Sequence, residues 1–179
     1  MFGGALYFGY LGLTRSPSAV AAAGASLAAK YAPVSYVTGA WFSMFYTFLF
    51  HQAYTHFCVH IKMVQEHRMR KESGEKEEHI DLMYVKSGGY KNREVAVVNT
   101  TVRNTMEQSL TLLPLLWMCA TLGGEDGVAA ATTGGWIWVI TRAYYPIAYA
   151  AGMPWLFLST IPGYCAQSYL LFKIIAASF

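Results

Sequence analysis

Charged and amide side chains stand at the start of an apolar run in the middle of the chain. The run extends from Leu110 to Leu122, and Arg103, Asn104 and Glu107 lie just before it. A charged side chain at bilayer depth costs about 2.5–3.5 kcal/mol on insertion scales, so such residues usually face other helices and find partners there. Their spacing places the three residues on one flank of a helix. The stretch predicts a polar site inside a helical membrane bundle.

A second polar stripe lies further along the chain. Arg142, Tyr145 and Tyr149 are spaced by three and four residues, so they line up on one face of a helix. Two such stripes on separate helices predict one shared site within the bundle. A simpler interpretation stays open, in which Glu107 pairs with Arg142 or Arg103 as a lock between helices without any ligand. The two tyrosines would then be ordinary core or interface aromatics.

The composition is that of a membrane protein. The chain has 179 residues, of which 55% are hydrophobic and 13% charged, whereas soluble domains carry about a quarter charged residues. A net charge of +3, evenly mixed with acid, gives no reason to expect nucleic acid as a partner. The sequence therefore predicts a single membrane domain.

Cysteines and histidines are the side chains of this sequence that could bind a transition metal. The three cysteines are far apart in apolar runs, which is typical of small buried hydrophobes. His56 and His60 are one helical turn apart and suit a metal or a haem iron, but no histidine follows residue 79 to ligate from a facing span. We therefore predict no metal site.

Four apolar segments predict the fold class, an all-α integral membrane protein with a four-transmembrane-helix antiparallel bundle. The first segment, 35–61, has no Lys, Arg, Asp or Glu over 27 residues, which is enough to cross a hydrocarbon core of about 30 Å. The others are 104–122, 128–149 and 155–175, the last interrupted by Pro162-Gly163. Residues 62–103 hold nine cations and seven acids and are predicted to form an aqueous loop on the inner side of the membrane.

Residues 1–34 are predicted to form an N-terminal extension before the membrane domain at 35–179. The extension has no acid and only two cations, as in an organellar presequence. We favour an interfacial segment that lies along the membrane or a partner protein. The cations of the 62–103 loop would meet anionic lipid headgroups or a partner subunit. The expected location is an organellar membrane, with the mitochondrial inner membrane favoured and the endoplasmic reticulum as the alternative.

Two motifs resemble those of a known family. The first is Asn104-Thr-Met-Glu107-Gln108, followed by Leu-Leu-Pro-Leu-Leu-Trp117, and the second runs from Arg142 through Tyr145 and Tyr149 to Trp155. Through these two motifs, residues 35–179 resemble the MAPEG family, the membrane-associated proteins in eicosanoid and glutathione metabolism. The resemblance implies four transmembrane helices, a homotrimer, and a pocket for glutathione or lipid between neighbouring subunits.

The resemblance also implies which residues line that pocket. An arginine matches a carboxylate of glutathione with its two-pronged fork, and a glutamate suits the ammonium group. The residues implied as cofactor-binding are Arg103, Asn104, Glu107, Arg142, Tyr145 and Tyr149.

Two departures from the family pattern bear on catalysis. Family members usually carry arginine where this chain has Thr100, and catalytic members carry one where it has Phe157. A thiol with a pKa of about 8.5 is only a few per cent thiolate at pH 7, so a neighbouring cation is needed to activate it. We therefore predict a non-catalytic accessory or structural subunit of an organellar membrane complex. A retained lipid or glutathione pocket and a purely structural lock both stay open. The alternatives are a microsomal-type glutathione transferase or peroxidase, in which Arg142 or Arg103 supplies the cation, and a lipid-binding regulator.

Overall fold

The computed structural model describes residues 17–73 and 92–178, which form five α-helices and no strand. The prediction of an all-helical chain is confirmed for these residues. None of the helices in this part of the chain is both long and apolar enough to count as a membrane-crossing segment. The helices are α1 (Pro17–Glu72), α2 (Arg93–Leu122), α3 (Gly124–Ala143), α4 (Tyr145–Ala151) and α5 (Met153–Ser178).

The four long helices share one hydrophobic core. Helices α2 and α3 each pack against the other three long helices. Each long helix contributes at least one side chain that has almost no exposed surface: Val37, Leu116, Trp138 and Leu170. Residues far apart in the sequence are therefore brought within reach of each other around α3.

Two glycines allow α3 to approach its neighbours closely. A Cβ atom on Gly135 would lie 2.5 Å from Val37 Cγ1 and 2.7 Å from Leu116 Cδ1, and one on Gly127 would lie 2.2 Å from the carbonyl oxygen of Cys119. Small residues at such contacts are typical of helix packing in membrane proteins. Any larger residue at Gly127 would push the α2–α3 turn apart.

The helix ends differ from the predicted segment boundaries. Helix α1 continues without a break through residues 34 and 35 and on to Glu72. Helix α2 begins at Arg93, where Asn92 Oδ1 accepts a hydrogen bond of 2.7 Å from the N–H of Glu94. Both ends of the predicted 62–103 loop are thus helical. Residues 1–16 of the predicted extension and 74–91 of the loop lie outside the described residues.

Two prolines have different effects on the helices that contain them. The predicted third segment, 128–149, is divided at Tyr144 into α3 and α4, because Pro146 lacks an N–H and its ring would clash with the carbonyl of Arg142. The predicted interruption at Pro162-Gly163 was wrong, since α5 runs through it. Neighbouring helices can compensate a proline inside a buried helix, and here Gly163 lies close to the Trp138 ring of α3.

The outer surface is rich in large apolar side chains, whereas the interior contains polar ones. Tyr36, Phe50 and Leu110 are each 72% exposed, and Ile147 is 73% exposed. The polar and charged residues with less than a tenth of their surface exposed are Thr55, His56, Thr101, Thr105, Gln108, Ser109, Thr141, Arg142, Ser159 and Gln167.

Candidate functional site

Arg142 is the centre of the polar interior. It lies in the last turn of α3 and has no exposed surface. Its Nη1 donates a hydrogen bond of 2.8 Å to Asn104 Oδ1, and its Nη2 donates to Gln108 Oε1. The guanidinium carbon lies 5.5 Å from the centre of the Trp138 ring and 4.9 Å from that of Tyr145. Two amide oxygens and two aromatic rings therefore stabilise its charge.

Gln108 extends these contacts to a third helix. Its Nε2 donates to Asn104 Oδ1 at 3.3 Å, and its backbone carbonyl accepts a hydrogen bond of 3.4 Å from Gln167 Nε2 on α5. We call Arg142, Asn104 and Gln108 the Arg142 network. It joins α2 to α3 by side chains and touches α5 through Gln167.

A few buried polar atoms near this network lack a partner among the described residues. They are Arg142 Nε, Thr105 Oγ1 and Trp138 Nε1. Since both Nη atoms of Arg142 are engaged, Nε is the part of its fork without a hydrogen bond to the described protein. One hydrogen bond from each Nη is thus already made to an amide of the same chain.

Arg103 and Glu107 lie elsewhere, which corrects the prediction that they share a flank with Asn104 and meet Arg142. Their side chains are 74% and 64% exposed and face each other, with 3.8 Å between Arg103 Nε and Glu107 Oε1. The buried face of α2 instead follows Thr101, Thr105 and Gln108. Residues 103 and 107 fall on the other side of a helix with 3.6 residues per turn.

The predicted tyrosines do join the site. Tyr145 is 3% exposed, and Tyr149 is half-buried. Their rings are stacked with their centres 6.0 Å apart, and Tyr145 covers the guanidinium of Arg142. The structure therefore brings together Asn104, Arg142, Tyr145 and Tyr149.

Sequence reasoning missed Gln108. Gln108 follows Asn104 by four residues and Thr101 by seven. That spacing puts Gln108 on the buried stripe. The helical spacing of the buried positions was therefore the sequence signal that could have identified Gln108.

The two positions that depart from the family pattern carry no charge in the structure. Thr100 is half-buried on α2, and Phe157 is 51% exposed near the start of α5. The sequence of α5 contains one cation, Lys173, which lies near its opposite end. Helix α5 has no arginine of its own, but Arg93 of α2 comes near its start. Arg93 Nη2 donates a hydrogen bond of 2.5 Å to the carbonyl of Ala150, three residues before α5 begins.

The histidine pair lies away from this site. His56 is buried on α1 and His60 is half-buried, with no partner for His56 Nε2 or His60 Nδ1 in the described protein. Within residues 17–73 and 92–178, metal-ligating side chains do not gather in groups of three or more.

The sequence of the chain matches the model of one protein family. The model of the MAPEG family matches residues 19–176, which is most of the chain. The chain belongs to the MAPEG family. Members of this family are integral membrane proteins, and this chain is accordingly a MAPEG-like membrane protein. No curated protein and no solved structure gave a significant match.

The matched region begins within the first helical turns of α1. It therefore includes part of the predicted extension 1–34. It also contains both motifs on which the resemblance rested, the one around Asn104 and the one that follows Arg142. The network that they form is thus part of the family domain in this chain.

Proposed function

We propose that this MAPEG-family protein is a non-catalytic accessory subunit of an organellar membrane complex. The observation that carries the proposal is the complete burial of Arg142, whose Nη atoms are bound by Asn104 and Gln108. In this role the Arg142 network is a structural lock that fixes α2 and α3 relative to α5.

The proposal includes four membrane crossings, by α1, α2, α3 and α5. The distribution of side chains supports it, because large apolar residues such as Phe50 and Leu110 face outward while Gln108 and Arg142 face inward. A soluble monomer rarely exposes large apolar patches, whereas ionisable residues of membrane bundles face the interior and pair there. The surfaces that remain would contact lipid and the other subunits, including further copies of this chain in a homotrimer.

The lack of an arginine on α5 supports a non-catalytic role. A thiolate nucleophile needs a cation within a few ångströms. Phe157 offers an apolar ring at the place where catalytic relatives are expected to have arginine, and the fork of Arg142 is engaged by amides. Within one protomer, the residues predicted for glutathione do not form a single site, because Arg103 and Glu107 face outward.

Conjugation and binding assays test this proposal. The purified full-length chain should not conjugate glutathione to an aryl halide at any pH from 6 to 9, under conditions in which a catalytic MAPEG enzyme is active. Glutathione should also leave its thermal unfolding temperature unchanged. The chain should purify with other subunits from its native membrane. Robust conjugation by the purified chain would overturn the proposal.

One observation favours a second candidate, a microsomal-type glutathione transferase. The exposed pair of Arg103 and Glu107 presents both charges on the same surface as Met106 and Leu110. A neighbouring subunit could complete a site there, with the arginine on a carboxylate of glutathione and the glutamate on its ammonium. This candidate expects Arg103→Ala and Glu107→Ala each to abolish stabilisation by glutathione, whereas the accessory-subunit proposal expects no stabilisation to abolish.

A further inference from the structure

A groove of about 880 Å³ lies between α3 and α5, away from the Arg142 network. Its floor is made of small residues, among them Ala130 and Gly134 on α3 and Ala166 on α5. Ile137 and Ile161 line its inner end. We call it the α3–α5 groove. Its volume lies within the range of about 300–1,000 Å³ that is usual for small-molecule sites.

The length of the groove corresponds to one leaflet of a bilayer. It extends along α3 from Asp126 to Ile137 and along α5 from Lys173 back to Ile161. At 1.5 Å per residue these stretches are about 16 and 18 Å long. Half of a hydrocarbon core is about 15 Å. If α3 and α5 cross the membrane, as the proposed function holds, the groove runs from one headgroup region to the middle of the bilayer.

Two opposite charges stand at the outer end of the groove. Asp126 lies in the first turn of α3 and is exposed, and Lys173 is half-buried near the end of α5. Both line the groove, yet neither forms an ion pair with the other or with another described residue. The Lys173 ammonium lies 5.8 Å from the centre of the Tyr169 ring, which also lines the groove. Tyrosine is common at the level of lipid headgroups.

We propose that the α3–α5 groove binds one phospholipid with a zwitterionic headgroup. Lys173 binds the phosphate, and Asp126 binds the headgroup ammonium. One acyl chain follows the small residues of the floor towards Ile137. A headgroup with only a negative charge would place an anion next to Asp126. A plain hydrocarbon would leave both Asp126 and Lys173 without a partner. The proposal rests on the membrane crossing of α3 and α5 in the proposed function.

Photo-crosslinking in lipid nanodiscs tests this inference. The probe is phosphatidylethanolamine with a diazirine on one acyl chain, and mass spectrometry identifies the labelled peptides. We expect saturable labelling concentrated on residues 126–137 and 161–173. Thr133→Trp places a large ring in the groove from an exposed position and should abolish this labelling. Ile140→Trp is the matched control, since Ile140 is 61% exposed on α3 and does not line the groove.

Charge variants test the headgroup assignment. Lys173→Gln should lower labelling by phosphatidylethanolamine about three- to five-fold, as expected for one partly screened charge contact. Asp126→Asn should lower it by a similar factor and at the same time raise labelling by a phosphatidylglycerol probe, which has no ammonium. Equal labelling by both probes in all variants would show annular lipid only and would overturn the inference.

Two further readouts separate failure of the inference from failure of the proposed function. If the chain resists carbonate extraction from membranes but labels evenly on all outward faces, the lipid site alone is wrong. If carbonate extracts the chain, the proposed membrane crossing is wrong. A photo-reactive amino acid at position 133 that crosslinks the groove to a second copy of the chain or to another subunit, in place of lipid, would also overturn the inference.

Discussion

Arg142 Nη1 donates a 2.8 Å hydrogen bond to Asn104 Oδ1 and so links the end of α3 to the middle of α2. Among the described residues no carboxylate balances this arginine, because Glu107 faces outward. Its charge is stabilised by neutral amides and by the rings of Trp138 and Tyr145. A buried cation of this kind makes each of its partners important for stability.

Removing the arginine should destabilise the fold. Arg142→Met keeps much of the side-chain volume but leaves Gln108 Oε1 without its donor and Asn104 Oδ1 with only the 3.3 Å hydrogen bond from Gln108 Nε2. Because hydrogen bonds to a charged group contribute about 1.5–3 kcal/mol each, we expect the free energy of unfolding in mixed micelles to fall by about 2–4 kcal/mol. Arg103→Met is the matched control and should change it by less than about 1 kcal/mol, since Arg103 is exposed. Equal effects of the two substitutions would contradict the lock.

Removing the two amides should lower the free energy of unfolding more than removing the whole Arg142 network. Asn104→Leu with Gln108→Leu strands the cation in an apolar interior, which costs about 3–5 kcal/mol. Adding Arg142→Met to that double variant removes the stranded charge and should restore part of the stability. The measurement is the free energy of unfolding of the double and triple variants, read as a mutant cycle. A triple variant less stable than the double variant would show that Arg142 has favourable contacts beyond these amides.

Much of this fold follows from local sequence patterns. Apolar runs predict the long helices, and the spacing of the Arg142 stripe predicts that Arg142 and Tyr145 share a helix face. The pairing of Arg142 with Gln108 did not follow, because it depends on which side of α2 faces α3. The same rotation of α2 turns Arg103 and Glu107 outward. Spacing alone gives the faces of a helix, whereas packing selects the one that is buried.

Glycine substitutions should separate close helix contacts from open surface. A Cβ on Gly127 would lie 2.2 Å from the carbonyl oxygen of Cys119, a backbone atom that cannot move aside cheaply, whereas one on Gly39 would meet nothing within 4 Å. We expect Gly127→Ala to lower the thermal unfolding temperature clearly. Gly39→Ala should leave it unchanged or raise it, since alanine favours a helix by about 1 kcal/mol over glycine. Similar losses for both variants would mean that the α2–α3 turn adapts to a larger residue.

A hydroxyl on α5 compensates the break that Pro146 imposes on α3. Helix α3 ends at Ala143, so Thr141 has one of the last four carbonyls, which a helix does not satisfy itself. Ser159 Oγ donates to this carbonyl at 2.7 Å and is fully buried. Ser159→Ala should therefore lower the free energy of unfolding by about 1 kcal/mol or more.

Ser43→Ala is the matched control for this hydrogen bond. The hydroxyl of Ser43 is exposed and donates to the carbonyl of Gly39 within the same helix. Its removal loses only a local contact, so we expect a change within about 0.5 kcal/mol. If Ser159→Ala behaves like Ser43→Ala, the carbonyl of Thr141 has another donor, and the end of α3 does not depend on α5.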